Sequence, residues 1–199
     1  MSVVFSSLAG YFLAAEKISF GSILLLFFGG YFMVGASNTF NQLIEREKDG
    51  IMERTLNRPL PKNRINTSQA LSIGILLSIL GVIFLYFLNI KTALFGAISI
   101  LLYVVIYTPL KRITPLSVFV GAIPGAIPYM LGWVAYTGSF GIEPGVLFLL
   151  QFFWQFPHFW ALAWMFDDDY KKAGFKMLPT GKKIRQVLFK LYFILFGQF

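Results

Sequence analysis

Residues 20–40 of the chain read FGSILLLFFGGYFMVGASNTF, an apolar run without a single charged residue. A helix of roughly 20 apolar residues crosses a bilayer core of about 30 Å. The run does not alternate polar and apolar residues as a lipid-facing barrel strand does, and backbone polar groups within a membrane must pair inside their own segment. It therefore predicts a transmembrane helix.

Similar runs recur at residues 3–15, 70–88, 92–107, 116–136 and 146–166, with a broken seventh at 184–199. Together they predict an all-α fold, a polytopic transmembrane bundle with six to seven helices in this chain. The first run is short for a crossing, and the last stops at Phe199 with no polar segment after it. We therefore expect residues 1–199 to be one membrane domain that is truncated at its carboxyl end. Whether the amino end is truncated as well is left open by the sequence.

The composition also favours a membrane location, because 57% of the residues are hydrophobic and only 13% are charged. A soluble domain carries about 25% charged residues, which keep its surface in solution. The sequence has no cysteine, which excludes disulfides, thiolate metal sites and a cysteine nucleophile. The net charge of +8 arises mainly in loops between apolar runs, so it does not favour nucleic-acid binding.

Lysine and arginine are distributed unevenly between the loops. Fourteen of the 17 follow the second, fourth and sixth apolar runs, whereas the intervening loops hold only Lys17 and Lys91. Loops rich in Lys and Arg usually stay in the cytoplasm. No Arg-rich transit segment precedes the first run, which favours a bacterial cell. We therefore expect a multi-pass protein of the bacterial inner membrane whose charged loops face the cytoplasm.

Carboxylates gather in two of the same loops, which the orientation rule does not require. Asn41, Glu45 and Asp49 follow one another at intervals of four, so on a continued helix they fall within an arc of about 80°. Oxygen donors on one stripe suit Mg²⁺, which binds one or two carboxylates and leaves its other positions to water and phosphate oxygens. The alternative is a solvated helix end with ion pairs between side chains four residues apart.

Cations continue the first of these loops. Arg54, Arg58 and Lys62 are again four residues apart, and Pro59 is expected to end the regular helix. Guanidinium groups bind phosphate oxygens through paired hydrogen bonds. Carboxylates for a metal beside cations for phosphate oxygens predict a diphosphate site on the cytoplasmic face.

The sixth run carries polar residues inside an apolar segment. Gln151, Gln155, His158 and Asp169 share one helical face by the same angular arithmetic, and polar groups within a span usually face the bundle interior or a cavity. His158, the only histidine, is a structural hydrogen-bonding residue between helices, a general base or a contact to a porphyrin. Of the three aspartates at 167–169, at most two can bind the same ion.

The fifth run contains GAIPGAIPYMLGW at residues 121–133, with three glycines and two prolines. Such small residues favour close packing of neighbouring helices, and the alternative is a gap for a bulky ligand. The four tryptophans of the chain are either interfacial anchors or walls of a pocket. The sequence leaves both pairs of alternatives open.

The pattern N-x-x-x-E-x-x-x-D-x-x-M-x-R-T-x-x-R-P, at residues 41–59, resembles the first Asp-rich motif of the UbiA superfamily of intramembrane prenyltransferases. The segments YTPLKR at 107–112, GAIPGAIPYMLGW, WQFPHFWALAW at 154–164 and DDDYKKAGFKMLP at 167–179 are similar to those of the branch that farnesylates haem. The likeness extends over residues 8–179. It implies a nine-helix bundle around a central cavity that opens to the membrane.

The resemblance also implies a reaction, the Mg²⁺-dependent ionisation of farnesyl diphosphate and alkylation of a vinyl group of protoheme IX (haem B) to give haem O. Farnesyl diphosphate, protoheme IX and the bilayer would be its partners, with a haem A synthase as a further candidate. Metal binding would fall to Asn41, Glu45, Asp49, Asp168 and Asp169. Diphosphate binding would fall to Arg54, Arg58, Lys62, Lys111, Arg112 and Lys172. His158 would join Asn41, Glu45, Asp49 and Asp169 as a catalytic residue.

Other functions fit part of the pattern. A related prenyltransferase with a small aromatic acceptor would share the diphosphate loop and differ at the WQFPHF segment. A transporter would use the intramembrane His and Gln along a substrate path, but it predicts inverted repeats with broken helices, which the sequence does not display. A structural subunit would not need seven carboxylates gathered on one face.

Overall fold

Helices make up all the regular secondary structure of residues 2–179, the part of the chain that the computed structural model describes. Five of these helices are long and apolar enough to cross a membrane, so the predicted all-α membrane bundle is confirmed. The predicted run at 184–199 lies outside the described residues. The elements are α1 (Ser2–Ala14), α2 (Phe20–Asp49), α3 (Thr67–Tyr86), α4 (Ile90–Leu101), a π-helix (Leu102–Tyr107), α5 (Thr108–Leu110), α6 (Ser117–Thr137), α7 (Ile142–Met165) and α8 (Asp167–Lys172).

Helix α6 occupies the centre of the described bundle. Within its most apolar stretch 67% of the residues are buried, compared with 22% to 28% in the other four spans. It packs against α1, α4 and α7. Gly132 lies directly against the backbone of Ser7, and Gly10 lies against the backbone of Tyr129, so neither position has space for a Cβ atom. These two glycines therefore let α1 and α6 approach to backbone contact, as small residues do between membrane helices.

The outer helices present apolar side chains away from the bundle. On α3, Leu71, Ile75, Ile79 and Ile83 repeat every four residues and are 43% to 52% exposed. In water such a stripe would be unfavourable, whereas in a bilayer it contacts lipid tails. The stripe therefore marks the lipid-facing side of α3.

Helix α2 continues beyond the predicted end of its apolar run at residue 40 and stops at Asp49. The Gly50 N–H still donates to the Arg46 carbonyl at 3.3 Å, and the hydroxyl of Thr55 then donates to the Asp49 carbonyl at 2.9 Å. That side chain satisfies one of the carbonyls left free at the helix end. The prediction that Pro59 ends the helix was therefore wrong by about ten residues, and residues 50–66 form turns instead.

The fourth span widens into a π-helix before it reaches the charged loop. Pro109 has no backbone N–H, and its ring crowds the carbonyl four residues before it, which disfavours a regular α-helix at this point. The N–H and the hydroxyl of Thr108 instead both donate to the Tyr103 carbonyl, five residues earlier. Such π-helical turns are frequent at functional sites. This one turns Tyr103 and Tyr107 towards the cavity described next.

Candidate active site

A polar cavity of about 180 Å³ lies where the charged ends of α2, α5 and α7 meet. The Lys176 N–H donates to the Lys111 carbonyl at 2.7 Å, and Arg112 donates to the Ile44 carbonyl at 3.2 Å. These bonds join the three loops that the Lys and Arg count places on one face. The cavity, called the polar pocket below, is lined by Asn38, Asn41, Glu45, Asp49, Met52, Arg54, Arg58, Tyr103, Tyr107, Lys111, Phe159, Leu162, Tyr170, Phe175 and Met177.

Glu45 is held by two side chains although it lies almost wholly out of solvent. The Nζ atom of Lys111 is 2.6 Å from Oε1 of Glu45. Asn41 Nδ2 donates to the other oxygen, Oε2, at 3.0 Å and to the Thr108 hydroxyl at 3.2 Å. Removing a carboxylate from water is costly unless it is paired and hydrogen-bonded. Lys111 supplies the opposite charge, and Asn41 supplies the hydrogen bond.

Asp49 is completely buried one helical turn further along α2. Its Oδ2 atom accepts a hydrogen bond from NH1 of Arg58 at 2.7 Å. Its Oδ1 atom has no hydrogen-bond partner within residues 2–179. A buried carboxylate oxygen without a partner is unfavourable and indicates a position that a ligand can complete.

Arg54 is positioned by both its backbone and its side chain. Its N–H donates to Oδ2 of Asp169 at 3.2 Å, and the neighbouring Glu53 N–H donates to Oδ1 at 3.3 Å. The guanidinium carbon lies 4.9 Å from the ring centre of Phe166 and 5.8 Å from that of Tyr170. Cation–π contacts of this kind hold an arginine without consuming its hydrogen-bond donors. Those donors remain available to a ligand in the pocket.

The polar pocket carries a positive excess, with three cationic side chains against two carboxylates. Burial lowers the pKa of Lys111, while the charges of Glu45 and Asp49 oppose that shift. Burial also raises the pKa of the Tyr170 hydroxyl, so it remains protonated at neutral pH. A buried positive excess attracts a multiply charged anion, and the low local dielectric strengthens that attraction.

A second cavity of about 290 Å³, called the apolar chamber below, lies on the membrane side of the polar pocket. Asn38, Tyr103 and Phe159 line both cavities, so the two are neighbours without an intervening helix. Most of the chamber wall is apolar. It is lined by Val3, Val4, Ser7, Leu26, Gly30, Met33, Val34, Ser37, Asn38, Leu85, Gly96, Ser99, Ile100, Tyr103, Gly121, Pro124, Gly125, Ile127, Pro128, Leu131, Gln155, His158 and Phe159.

His158 and Gln155 lie on the chamber wall contributed by α7. The imidazole of His158 stacks on Trp154 with ring centres 4.9 Å apart. Gln155 is buried, and its amide packs against Gly125 of α6, where no side chain intervenes. The GAIPGAIPYMLGW segment therefore contributes both to packing, through Gly132 against α1, and to the chamber wall, through Gly121 and Gly125.

Three predicted diphosphate ligands lie outside the polar pocket. Lys62 is exposed, because the helix ends at Asp49 and the four-residue spacing after it no longer defines a stripe. Arg112 points to the Ile44 carbonyl, and Lys172 pairs with Glu53 at 2.9 Å on the surface. The structure brings Arg54, Arg58 and Lys111 to the pocket and leaves these three cations outside it.

The aspartates of α8 also differ from their predicted placement. The chain breaks at Phe166, so Asp169 lies on a separate short helix and does not share a face with His158. Asp169 accepts the two backbone N–H groups described above, and Asp168 is exposed. In the described part of the chain no three His, Asp or Glu side chains lie close enough to hold one metal ion. The metal role of these two aspartates stays a prediction.

Sequence reasoning missed three residues of the site. Thr108 supports Asn41, Tyr103 joins the two cavities, and Asn38 lies one turn before Asn41 on the same side of α2. A polar residue inside an apolar run was the available signal for Asn38. Pro109 after Thr108 was the signal for a local distortion of the helix.

The donor set of the polar pocket fits Mg²⁺. That ion prefers oxygen ligands and uses one or two carboxylates together with substrate phosphates instead of an all-protein cage. Asp49 offers a buried Oδ1 without a hydrogen-bond partner, and Glu45 and Asn41 lie on the same face of α2. The pocket lining contains two carboxylates and no third acidic residue. This is the arrangement expected of a site where a metal binds together with a phosphate ligand.

The fold and the two cavities define a polytopic helical membrane protein with the polar pocket above the apolar chamber. The chain belongs to the UbiA prenyltransferase family, whose sequence model matches residues 3–199. The fold agrees with solved structures of UbiA homologues from Aeropyrum pernix K1 (TM-score 0.75, 16% identity, covering 97% of this chain and 74% of that one) and from Archaeoglobus fulgidus bound to GPP and Mg²⁺ (TM-score 0.75, 20% identity, covering 96% and 68%).

Curated relatives share much more sequence with the chain. A protein named protoheme IX farnesyltransferase from Christiangramia forsetii is 65% identical over 185 residues, which cover 93% of this chain and 62% of that protein. One of the same name from Flavobacterium psychrophilum is 60% identical over 186 residues, which cover 92% and 62%. The chain thus spans somewhat less than two thirds of the length of these relatives.

Proposed function

We propose that the protein transfers a farnesyl group from farnesyl diphosphate to a vinyl carbon of protoheme IX, with Mg²⁺ as cofactor. The observation that carries the proposal is the polar pocket, with a buried carboxylate oxygen without a hydrogen-bond partner and three cations, directly above an apolar chamber. A prenyl diphosphate has the same division into a charged head and an apolar tail. The high identity to relatives named protoheme IX farnesyltransferase supports haem as the acceptor.

The diphosphate head is bound by Arg54, Arg58 and Lys111. Each offers N–H donors in the pocket, and charge-assisted hydrogen bonds to phosphate oxygens are about twice as strong as neutral ones. Arg58 and Lys111 are paired with Asp49 and Glu45 in the free protein. A diphosphate that accepts hydrogen bonds from these two cations would free both carboxylates, which could then hold Mg²⁺.

The residues that would hold Mg²⁺ are Asn41, Glu45 and Asp49. When bound, the ion stabilises the negative charge that develops on the leaving diphosphate. Arg54, Arg58 and Lys111 act on the same charge from the protein side. Preorganised donors of this kind lower a barrier because they need not reorient as the charge forms.

Carbon–oxygen cleavage leaves an allylic cation on the farnesyl chain, and the apolar chamber keeps water from it. The vinyl carbon of haem then donates its π electrons to C1 of the chain and forms the new carbon–carbon bond. Water adds to the resulting benzylic-type cation beside the porphyrin ring and loses a proton, which gives a hydroxyethylfarnesyl side chain. His158, on the chamber wall beside Trp154, is the polar residue of α7 proposed to contact the haem.

Further parts of the proposal concern location and partners. The charged loops face the cytoplasm of a bacterial inner membrane, as their Lys and Arg content favours. A haem A synthase is the candidate recipient of the product, because that step consumes haem O. The rival acceptor, a small aromatic acid, has no support from the names of the curated relatives.

Mass analysis of haem tests the proposed function. Membranes that contain the protein are incubated with farnesyl diphosphate, protoheme IX and Mg²⁺. The haem is then extracted and its molecular mass is measured by mass spectrometry. We expect a haem that has gained a farnesyl group on one vinyl carbon and a hydroxyl group on the other. A parallel incubation with 4-hydroxybenzoate tests the rival acceptor. Unmodified haem alongside a prenylated aromatic acid would overturn the proposed acceptor, and no prenylated product of either kind would overturn the reaction class.

A further inference from the structure

One side of α2 lines both cavities along most of its length. The helix rises about 1.5 Å per residue, so Gly30 lies about 16 Å from Asn41 along the axis and Leu26 about 22 Å from it. An extended farnesyl chain whose diphosphate lies beside Asn41 would reach the level of Gly30. The residues of this side are Leu26, Gly30, Met33, Val34, Ser37 and Asn38 in the chamber, followed by Asn41, Glu45 and Asp49 in the pocket.

Gly30 differs from the neighbouring glycine in what surrounds it. A Cβ atom added at Gly29 would lie 2.7 Å from the side chain of Leu85, so that glycine is needed for contact with α3. A Cβ atom added at Gly30 would lie 3.8 Å from Val4 and 3.9 Å from Ser7, which are ordinary contacts. Val4 and Ser7 both line the chamber. Packing therefore does not require a glycine at position 30, and the space beside it belongs to the chamber.

Beyond Gly30 the chamber is closed by large aliphatic side chains. Leu26 and Leu85 are fully buried, and Leu131 is 6% exposed. All three also belong to the main hydrophobic core, so they are held by their neighbours. A fixed floor about one helical turn beyond Gly30 limits how far a lipid tail can extend.

We propose that Gly30 determines the length of the isoprenoid chain that the chamber accepts, with Leu26 as the floor beneath it. This inference rests on the proposed function, because it takes the chamber as the site of the prenyl tail. The absence of a side chain at position 30 leaves room for the third isoprene unit of a farnesyl group. A larger residue there would exclude that unit and leave room for a geranyl group.

The test compares Gly30→Ala, Gly30→Leu and Leu26→Ala with the unchanged protein, using geranyl, farnesyl and geranylgeranyl diphosphates. One methylene in an apolar pocket changes selectivity by about 10- to 200-fold. We expect Gly30→Leu to raise the ratio of geranyl to farnesyl kcat/KM at least about tenfold, with Gly30→Ala intermediate. We expect Leu26→Ala to raise relative use of the geranylgeranyl substrate.

Binding of the non-reactive thiolodiphosphate analogues of the same three lengths is measured in parallel. The matched control is Gly145→Leu, because apart from its neighbours in the chain no atom of residues 2–179 would lie within 4 Å of a Cβ atom at Gly145, which also lines neither cavity. If the unchanged protein binds none of the analogues, the proposed function itself fails. If it binds them and Gly30→Leu keeps the preference of Gly145→Leu, only the role of Gly30 is overturned. If Gly30→Leu does not fold, the other two variants decide. Gly30→Ala and Leu26→Ala that keep the chain-length preference of the unchanged protein would then overturn the role of Gly30.

Discussion

The ammonium nitrogen of Lys111 lies 2.6 Å from a carboxylate oxygen of Glu45, a residue 66 positions earlier in the chain, and both side chains are nearly buried. Arg58 makes the equivalent contact with Asp49 at 2.7 Å. The two carboxylates that α2 directs into the polar pocket are thus each neutralised by a cation of the protein. Under the proposed function, binding of a metal with a diphosphate would require these pairs to exchange partners.

Asp49→Asn should abolish most of the activity and leave the fold intact. The substitution keeps the shape of the side chain but removes the charge that the metal requires. We expect the rate of haem farnesylation to fall about 100-fold or more. The haem mass assay measures the rate, and thermal unfolding in detergent checks that the protein remains folded. Near-normal turnover in folded Asp49→Asn would contradict the role of Asp49.

Lys111→Met should reduce both stability and activity, for separable reasons. Methionine fills a similar volume, but Glu45 then remains buried without its cation, which costs about 3–5 kcal/mol. In the double variant Glu45→Gln with Lys111→Met neither charge remains, so thermal stability should recover while farnesyl transfer does not. The melting temperatures and rates of the two variants measure this. Recovery of both properties together would mean that Lys111 has only a structural role.

Asp169→Ala separates an anchoring role from a metal-binding role. Loss of its carboxylate releases the backbone N–H groups of Glu53 and Arg54, so we expect the KM for farnesyl diphosphate to rise about tenfold. The matched variant Asp168→Ala removes an exposed carboxylate and should stay within about twofold of the unchanged protein. Titrations with Mg²⁺ distinguish the two roles. A large rise in the Mg²⁺ requirement of both variants would instead support the metal role predicted from the sequence.

Gly132→Ala should destabilise the bundle. Its Cβ atom would overlap the backbone carbonyl of Ser7, which cannot rotate away as a side chain can. Helices α1 and α6 would have to separate, at a cost of about 3 kcal/mol. The melting temperature in detergent measures the effect, with Gly145→Ala as control because that position is open. Equal melting temperatures for the two variants would show that the close approach of the helices is not needed.

Local features of the sequence predicted much of the fold. Within residues 2–179 the apolar runs located the helices within a few residues, except at the end of α2, because a membrane core imposes both length and hydrophobicity on a helix. The stripe of Asn41, Glu45 and Asp49 was also predictable, since α2 continues as a regular helix through all three. The helical period alone relates these positions to one another.

The rest of the site depends on contacts between distant segments. The prediction that Arg54, Arg58 and Lys62 lie on one helical face was wrong, because the helix ends at Asp49. There the hydroxyl of Thr55, from the following turn, donates to the Asp49 carbonyl. The bonds from Glu53 and Arg54 to Asp169 join the turns after α2 to α8, which is more than 110 residues further along the chain. No periodicity encodes such pairings, and they determine which charged residues reach the pocket.

Binding of a radiolabelled farnesyl thiolodiphosphate, with and without Mg²⁺, tests most directly whether the carboxylates of α2 and the neighbouring cations form a metal-dependent diphosphate site. We expect saturable binding that requires Mg²⁺, that is lost in Asp49→Asn, and that persists in Gly145→Leu. Equal binding without Mg²⁺, or unchanged Mg²⁺-dependent binding by Asp49→Asn, would contradict a metal-dependent diphosphate site at these residues.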